Sequence, residues 1–94
     1  MTQATILAAN TTAATSTDIA VAAGAVVTVG IFSASEAQLP MGVNFTVMVD
    51  TPGADSVEAV LDNQRRTVQV NGPATYRVKR PAYTGTAFGV YSET

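Results

Sequence analysis

The stretch Val43-Asn44-Phe45-Thr46-Val47-Met48-Val49-Asp50 constrains the fold more than any other. Val43, Phe45, Val47 and Val49 fall on every second position, which is the period of a β-strand with one buried face. Pro40 and Gly42 punctuate the chain before this run. Thr51-Pro52-Gly53-Ala54 follows it, where proline presets φ and glycine supplies the conformations a turn needs. A half-buried strand cannot exist alone, so the rest of the chain must supply its sheet and the layer that covers it.

The same grammar recurs along the chain. A short strand is expected near Ala4–Ala8, and a second over Ile19, Val21 and Ala23. Ala22-Ala23-Gly24-Ala25 reads as a turn, and Val26–Phe32 as a strand apolar on both faces. Ser33–Gly42 reads as a loop, with one helical turn at Ser35-Glu36-Ala37-Gln38. Ser56–Leu61 suits a strand, and Asp62-Asn63-Gln64 would turn it back as a hairpin onto Thr67–Val70. Asn71-Gly72-Pro73 is a turn signal. Thr75–Arg80 alternates again, with Tyr76 and Val78 inward and Arg77 and Lys79 outward. Tyr83-Thr84-Gly85 turns the chain into a last strand, Thr86–Tyr91.

About eight short strands with a turn every eight to twelve residues predict an all-β antiparallel sandwich, jelly-roll or immunoglobulin-like. Composition agrees: Val, Ile and Thr make up 30 of the 94 residues. Residues 18–94 are expected to form a single sandwich domain. Residues 1–17, Ala/Thr-rich and nearly uncharged, are read as an extended N-terminal arm or an edge strand. A domain this small buries only about 60–65% of its unfolded surface, which favours oligomerisation.

The chain has no Cys, no His and no Trp. A disulfide framework, a thiolate zinc site and a Ser-His-Asp or Cys-His centre are therefore excluded. Lys79 is the only lysine, and nothing places a nucleophile beside a base. The expectation is a non-enzymatic protein with no cofactor. Asp50, Asp55, Glu58 and Asp62 are close enough in sequence to suggest a Ca²⁺ turn, but their spacing does not match an EF-hand loop. They are read as soluble turn residues.

Net charge is −2, too small to imply a nucleic-acid or membrane partner, but the charges are segregated. Residues 1–64 carry six acids and no base. Residues 65–80 carry all five bases and no acid, and Glu93 stands alone after them. Such a split orients a protein against a partner or a copy of itself. Arg65, Arg66, Tyr76, Arg77, Lys79 and Arg80 are the candidate interface residues, since Arg and Tyr are enriched where proteins meet. The bland alternative for the same residues is cross-strand pairing with acids such as Asp62. Basic groups beside tyrosines also suit single-stranded nucleic acid, against which the negative net charge argues.

The segment Gly72-Pro73-Ala74-Thr75-Tyr76-Arg77-Val78-Lys79-Arg80-Pro81-Ala82 resembles a G-P-x-x-Y-R-V-x-R-P stretch of small virion proteins of tailed bacteriophages. Ile19–Phe32 is similar in character to the N-terminal strands of the same proteins. These are capsid decoration (cement) proteins or related head accessories. The resemblance implies a β-sandwich, made in the bacterial cytoplasm, that binds the major capsid protein on the outside of the shell as a homotrimer. It carries no catalytic residues. The alternative is a tail, neck or fibre accessory module that binds carbohydrate, which the absence of Trp disfavours.

Overall fold

The computed structural model describes residues 2–94. Its strands form where apolar side chains alternate and break where Gly, Pro or Asn intervene. They are β1 (Gln3–Asn10), β2 (Ala14–Thr15), β3 (Ile19–Val21), β4 (Val26–Phe32), β5 (Phe45–Val49), β6 (Ser56–Leu61), β7 (Thr67–Asn71), β8 (Ala74–Arg80) and β9 (Phe88–Glu93). Two antiparallel sheets face each other. One has the order β1-β9-β4-β7. The other has the order β2-β8-β5-β6, with β3 continuing β2 along the same side of β8. No helix interrupts them among the described residues, so none is long and apolar enough to cross a membrane.

The core lies between the sheets. Val29, Val90, Phe88 and Val70 point inward from the four-stranded sheet, and Phe45, Val47, Val78 and Leu61 meet them from the other. All are essentially without solvent contact, so this layer supplies most of the hydrophobic stabilisation. Leu39, from the long loop before β5, closes one end of the layer. Asn63 holds that loop: its Oδ1 accepts from Leu39 N at 2.7 Å and its Nδ2 donates to Leu39 O at 2.6 Å.

Residues 1–17 were expected to be an arm or an edge strand. From Gln3 to Asn10 the chain lies paired along β9, and β1 is the edge of its sheet. It then crosses to the other sheet. Ser16 bridges β2 and β3 there, its Oγ accepting from Val78 N at 2.9 Å and its N donating to Val78 O at 2.8 Å.

Three local expectations change. The hairpin of Ser56–Leu61 with Thr67–Val70 does not form. β6 pairs with β5 through the Thr51–Ala54 turn, and β7 pairs with β4 in the opposite sheet. The reason lies in the connector. Asp62 Oδ1 accepts from Gln64 N and Arg65 N, which folds the chain sideways, and Arg66 O then accepts from Ile31 N, which starts the next ladder on β4. The helical turn at Ser35–Gln38 is absent; the chain bends over residues 34–36 and then runs irregularly to Pro40. Strand β5 begins at Phe45 because Pro40-Met41-Gly42-Val43 closes a turn, with Gly42 at φ 86° and Val43 N bonded to Pro40 O at 3.1 Å.

Candidate functional site

Strand β8 carries four of the six residues singled out from the sequence, and its pleat divides them. Tyr76, Val78 and Arg80 point inward, while Arg77 and Lys79 point outward. Tyr76 is 5% exposed and its hydroxyl donates to Asn71 O at 2.7 Å. Arg80 is 4% exposed. Its Nε donates to Thr12 O at 2.7 Å, and its Nη1 donates to Ala8 O at 2.7 Å and Phe88 O at 3.0 Å. These two residues offer almost no surface to a partner. Arg80 instead ties β8 of one sheet to β1 and β9 of the other, its charge solvated by carbonyl oxygens.

Arg77 lies outward but is engaged. Its Nε pairs with Asp18 Oδ1 at 3.0 Å and its Nη1 with Asp55 Oδ2. The hydrogen bond to Asp55, then that to Asp18, raises the guanidinium still further above its ordinary range. Two acids from the acidic first part of the chain thus meet one base of the basic part, so the segregation seen along the chain is partly cancelled in space. Arg66 is half-buried. Its Nη2 donates to Ala37 O at 2.9 Å and Asn63 Oδ1 at 3.3 Å, and its guanidinium carbon lies 5.5 Å from the centre of the Phe88 ring. The side chains of Arg65 and Lys79 alone among the five bases have no bonded partner among the described residues, and both are exposed.

Alternation places Tyr76 and Val78 inward, and one more step of the same period reaches Arg80. What the period does not reveal is the set of backbone acceptors that makes a buried arginine possible, Phe88 nearby and Ala8 and Thr12 far away in sequence. The acidic stretch disperses as well. Asp55 pairs with Arg77, Asp62 caps its own turn, and no three His, Cys, Asp or Glu side chains converge to hold a metal among the described residues.

Three surface features were not anticipated. Met41 sits at the tip of its tight turn and is 101% exposed. Val57 and Val60 on edge strand β6 are 62% and 38% exposed. They share the outer face of the five-stranded sheet with Met48, Thr46 and Lys79, because Met48 stands opposite Val57 and Thr46 stands opposite both Val60 and Lys79. The β-bulge at Val47/Met48 turns Glu58 outward beside Val57. On the opposite sheet, Phe32 and Tyr91 form an outward aromatic pair with ring centres 6.4 Å apart.

Tyr83 braces the loop between β8 and β9. Its hydroxyl donates to Thr86 O at 2.7 Å and accepts from Phe88 N at 2.9 Å. Tyr83→Phe removes both bonds while keeping the ring against Phe45, so it should cost about 1–2 kcal/mol, read as a lower urea midpoint with an unchanged slope.

Comparison with family models, curated proteins and solved structures found no match. What the chain's own geometry defines is a two-sheet β-sandwich whose arginines mostly bind within the fold. Among the described residues, two free cations, Arg65 and Lys79, and the exposed valines of β6 remain on its surface.

Proposed function

We propose that this protein is a non-enzymatic structural component of a tailed-phage virion that binds the outer surface of the capsid as a trimer and stabilises it. The observation that carries the reading is the outer face of the five-stranded sheet, where Val57 and Val60 adjoin Met48 and Thr46, and the unpaired Lys79 lies on the far side of Thr46. Apolar side chains bordered by an unpaired charge suit a protein contact, with the apolar groups for affinity and the charge for orientation. The strip lies on an edge strand, so a partner can reach it from the side as well as the face. The Gly72–Ala82 segment supports the same reading by resemblance. A ligand that binds only the assembled shell stabilises it by mass action, and many copies multiply the effect.

The test is co-sedimentation of the purified protein with expanded, undecorated capsids. Failure to bind refutes the proposal. The interface assignment has its own test, in which the choice of variant follows from the structure. Arg66 packs on Phe88 and is unsuitable, whereas Arg65→Glu with Lys79→Glu alters exposed groups only. This double variant should keep its thermal midpoint and lower shell occupancy at least about tenfold, equivalent to about 1.4 kcal/mol. Light scattering of the free protein should give the mass of three chains.

A further inference from the structure

The second outer face of the sandwich has a different chemistry. The strands β1, β9, β4 and β7 contain one charged residue, Glu93, and no Lys or Arg. Register places Gln3, Glu93, Thr28 and Gln69 in one outward row, and Thr5, Tyr91, Gly30 and Thr67 in the next. Phe32 stands opposite Gly89 one row further on. Each aromatic residue therefore faces a glycine across the β4–β9 ladder.

That pairing sets the rings against the sheet. A Cβ on Gly30 would lie 2.6 Å from Tyr91 Cε1, and one on Gly89 would lie 2.7 Å from Phe32 Cζ. Neither ring can sit there over a larger residue. Between the rings and strand β1 runs an open groove of about 550 Å³, with Gln3 and Thr5 on one wall and Phe32 and Tyr91 on the other. Gln3 Nε2 donates to Glu93 Oε2 at 2.8 Å, which fixes an amide and a carboxylate side by side at the groove. The Tyr91 hydroxyl has no partner among the described residues.

We infer that this groove binds a neutral oligosaccharide. An aromatic face carries a negative quadrupole that attracts the polarised C–H groups of a sugar ring. Fixed amide, carboxylate and hydroxyl groups around it match the alternating donors and acceptors of sugar hydroxyls. The absence of any cation in the four strands excludes the electrostatic attraction that a nucleic acid or a sulfated polymer would need. The groove lies on the sheet opposite the valine strip, so it leaves that strip free for the shell, and the inference stands whether or not the shell is the partner there.

The test is a nitrogen-15 amide titration of the intact protein with maltohexaose, cellohexaose, laminarihexaose and chitohexaose. At least one should shift the Gln3, Thr5, Gly30 and Tyr91 amides saturably. Tyr91→Leu should abolish binding. Gln3→Ala with Thr5→Ala, which alters only exposed side chains, should weaken it at least about fivefold without moving the thermal midpoint. No saturable shift with any of the four sugars overturns the inference, as does binding that the Gln3/Thr5 variant leaves intact. Shifts of the same amides on raising protein concentration alone would show that a second copy covers the groove, and would also overturn it.

Discussion

Replacing Gly72 by alanine should destabilise the fold by about 3 kcal/mol or more, the upper range of overpacking effects. The cause is close approach of two backbones. At the crossing from β7 to β8 the chain passes over the β3–β4 turn, and Gly72 N donates to Ala25 O at 3.1 Å. A methyl group on Gly72 would lie 2.6 Å from the Ala22 carbonyl carbon and overlap the carbonyl oxygens of Val21 and Ala22. These are backbone atoms of a paired strand and its turn, so no side chain can swing aside. Relief requires separating β3 from β8, which breaks the ladder at Val21 and Ala74. Two other glycines calibrate the effect. Gly53 has open space and no positive φ, so Gly53→Ala should stay within about 1 kcal/mol of the parent. Gly24 also has space but sits at φ 78°, so Gly24→Ala should cost about 1 kcal/mol from backbone strain alone. Equilibrium denaturation of the three variants checks the order. A Gly72 variant no less stable than the Gly24 variant would disprove the close-approach account.

Arg80→Met should produce a loss of similar size. The substitution keeps the apolar stem and removes the guanidinium, leaving the carbonyls of Ala8, Thr12 and Phe88 without their donor. The Phe88 carbonyl is left buried and the other two partly so; an unpaired buried acceptor costs about 1–3 kcal/mol, and hydrogen bonds from a charged donor are the stronger kind. About 3 kcal/mol or more is expected, against a total of roughly 5–15 kcal/mol for a domain. The thermal midpoint should fall by at least about 12 °C. Arg80→Lys should recover only part of this, since a compact ammonium group cannot reproduce the fork that reaches β1, β9 and the connector after β1 at once. Hydrogen exchange supplies a sharper readout. Because Arg80 binds β1 through Ala8, the amides of β1 should lose protection before those of β5. Uniform loss across both strands would show that Arg80 acts only through global stability.

These two sites mark the limit of what a one-dimensional reading can reach. The inward set Phe45, Val47, Tyr76 and Val78 was legible, because a pleat alternates and a core needs one face. The turns at Ala22–Ala25 and Thr51–Ala54 were legible from Gly and Pro. The partner of β6 was not. Asp62-Asn63-Gln64 is a turn signal whether the chain folds back or crosses over. What decides is the ladder with β4, opened where Arg66 O accepts from Ile31 N, a residue far away in sequence. The exposure of the six candidate residues was legible in part. Lys79 and Arg65 are exposed and, among the described residues, unpaired, while Arg66, Tyr76, Arg77 and Arg80 are engaged by partners within the chain. A sequence displays charge, but burial and pairing depend on contacts that only the folded chain creates.

The sequence by itself determined the class of structure. Short alternating runs of Val, Ile, Thr and Phe, cut by Gly, Pro and Asn, can bury their apolar faces only as stacked antiparallel sheets. The lack of His and Cys also removed whole families of chemistry before any fold was considered. Tertiary structure decided which strands share a sheet, which arginines face solvent, and which glycines are irreplaceable. It also created the two unlike outer faces, one with exposed valines beside a lysine, the other with aromatic rings laid over glycines. The physical reason is range. Strand periodicity acts between residues two apart, whereas backbone crossings and buried hydrogen bonds join residues up to 72 apart, and no local pattern encodes them.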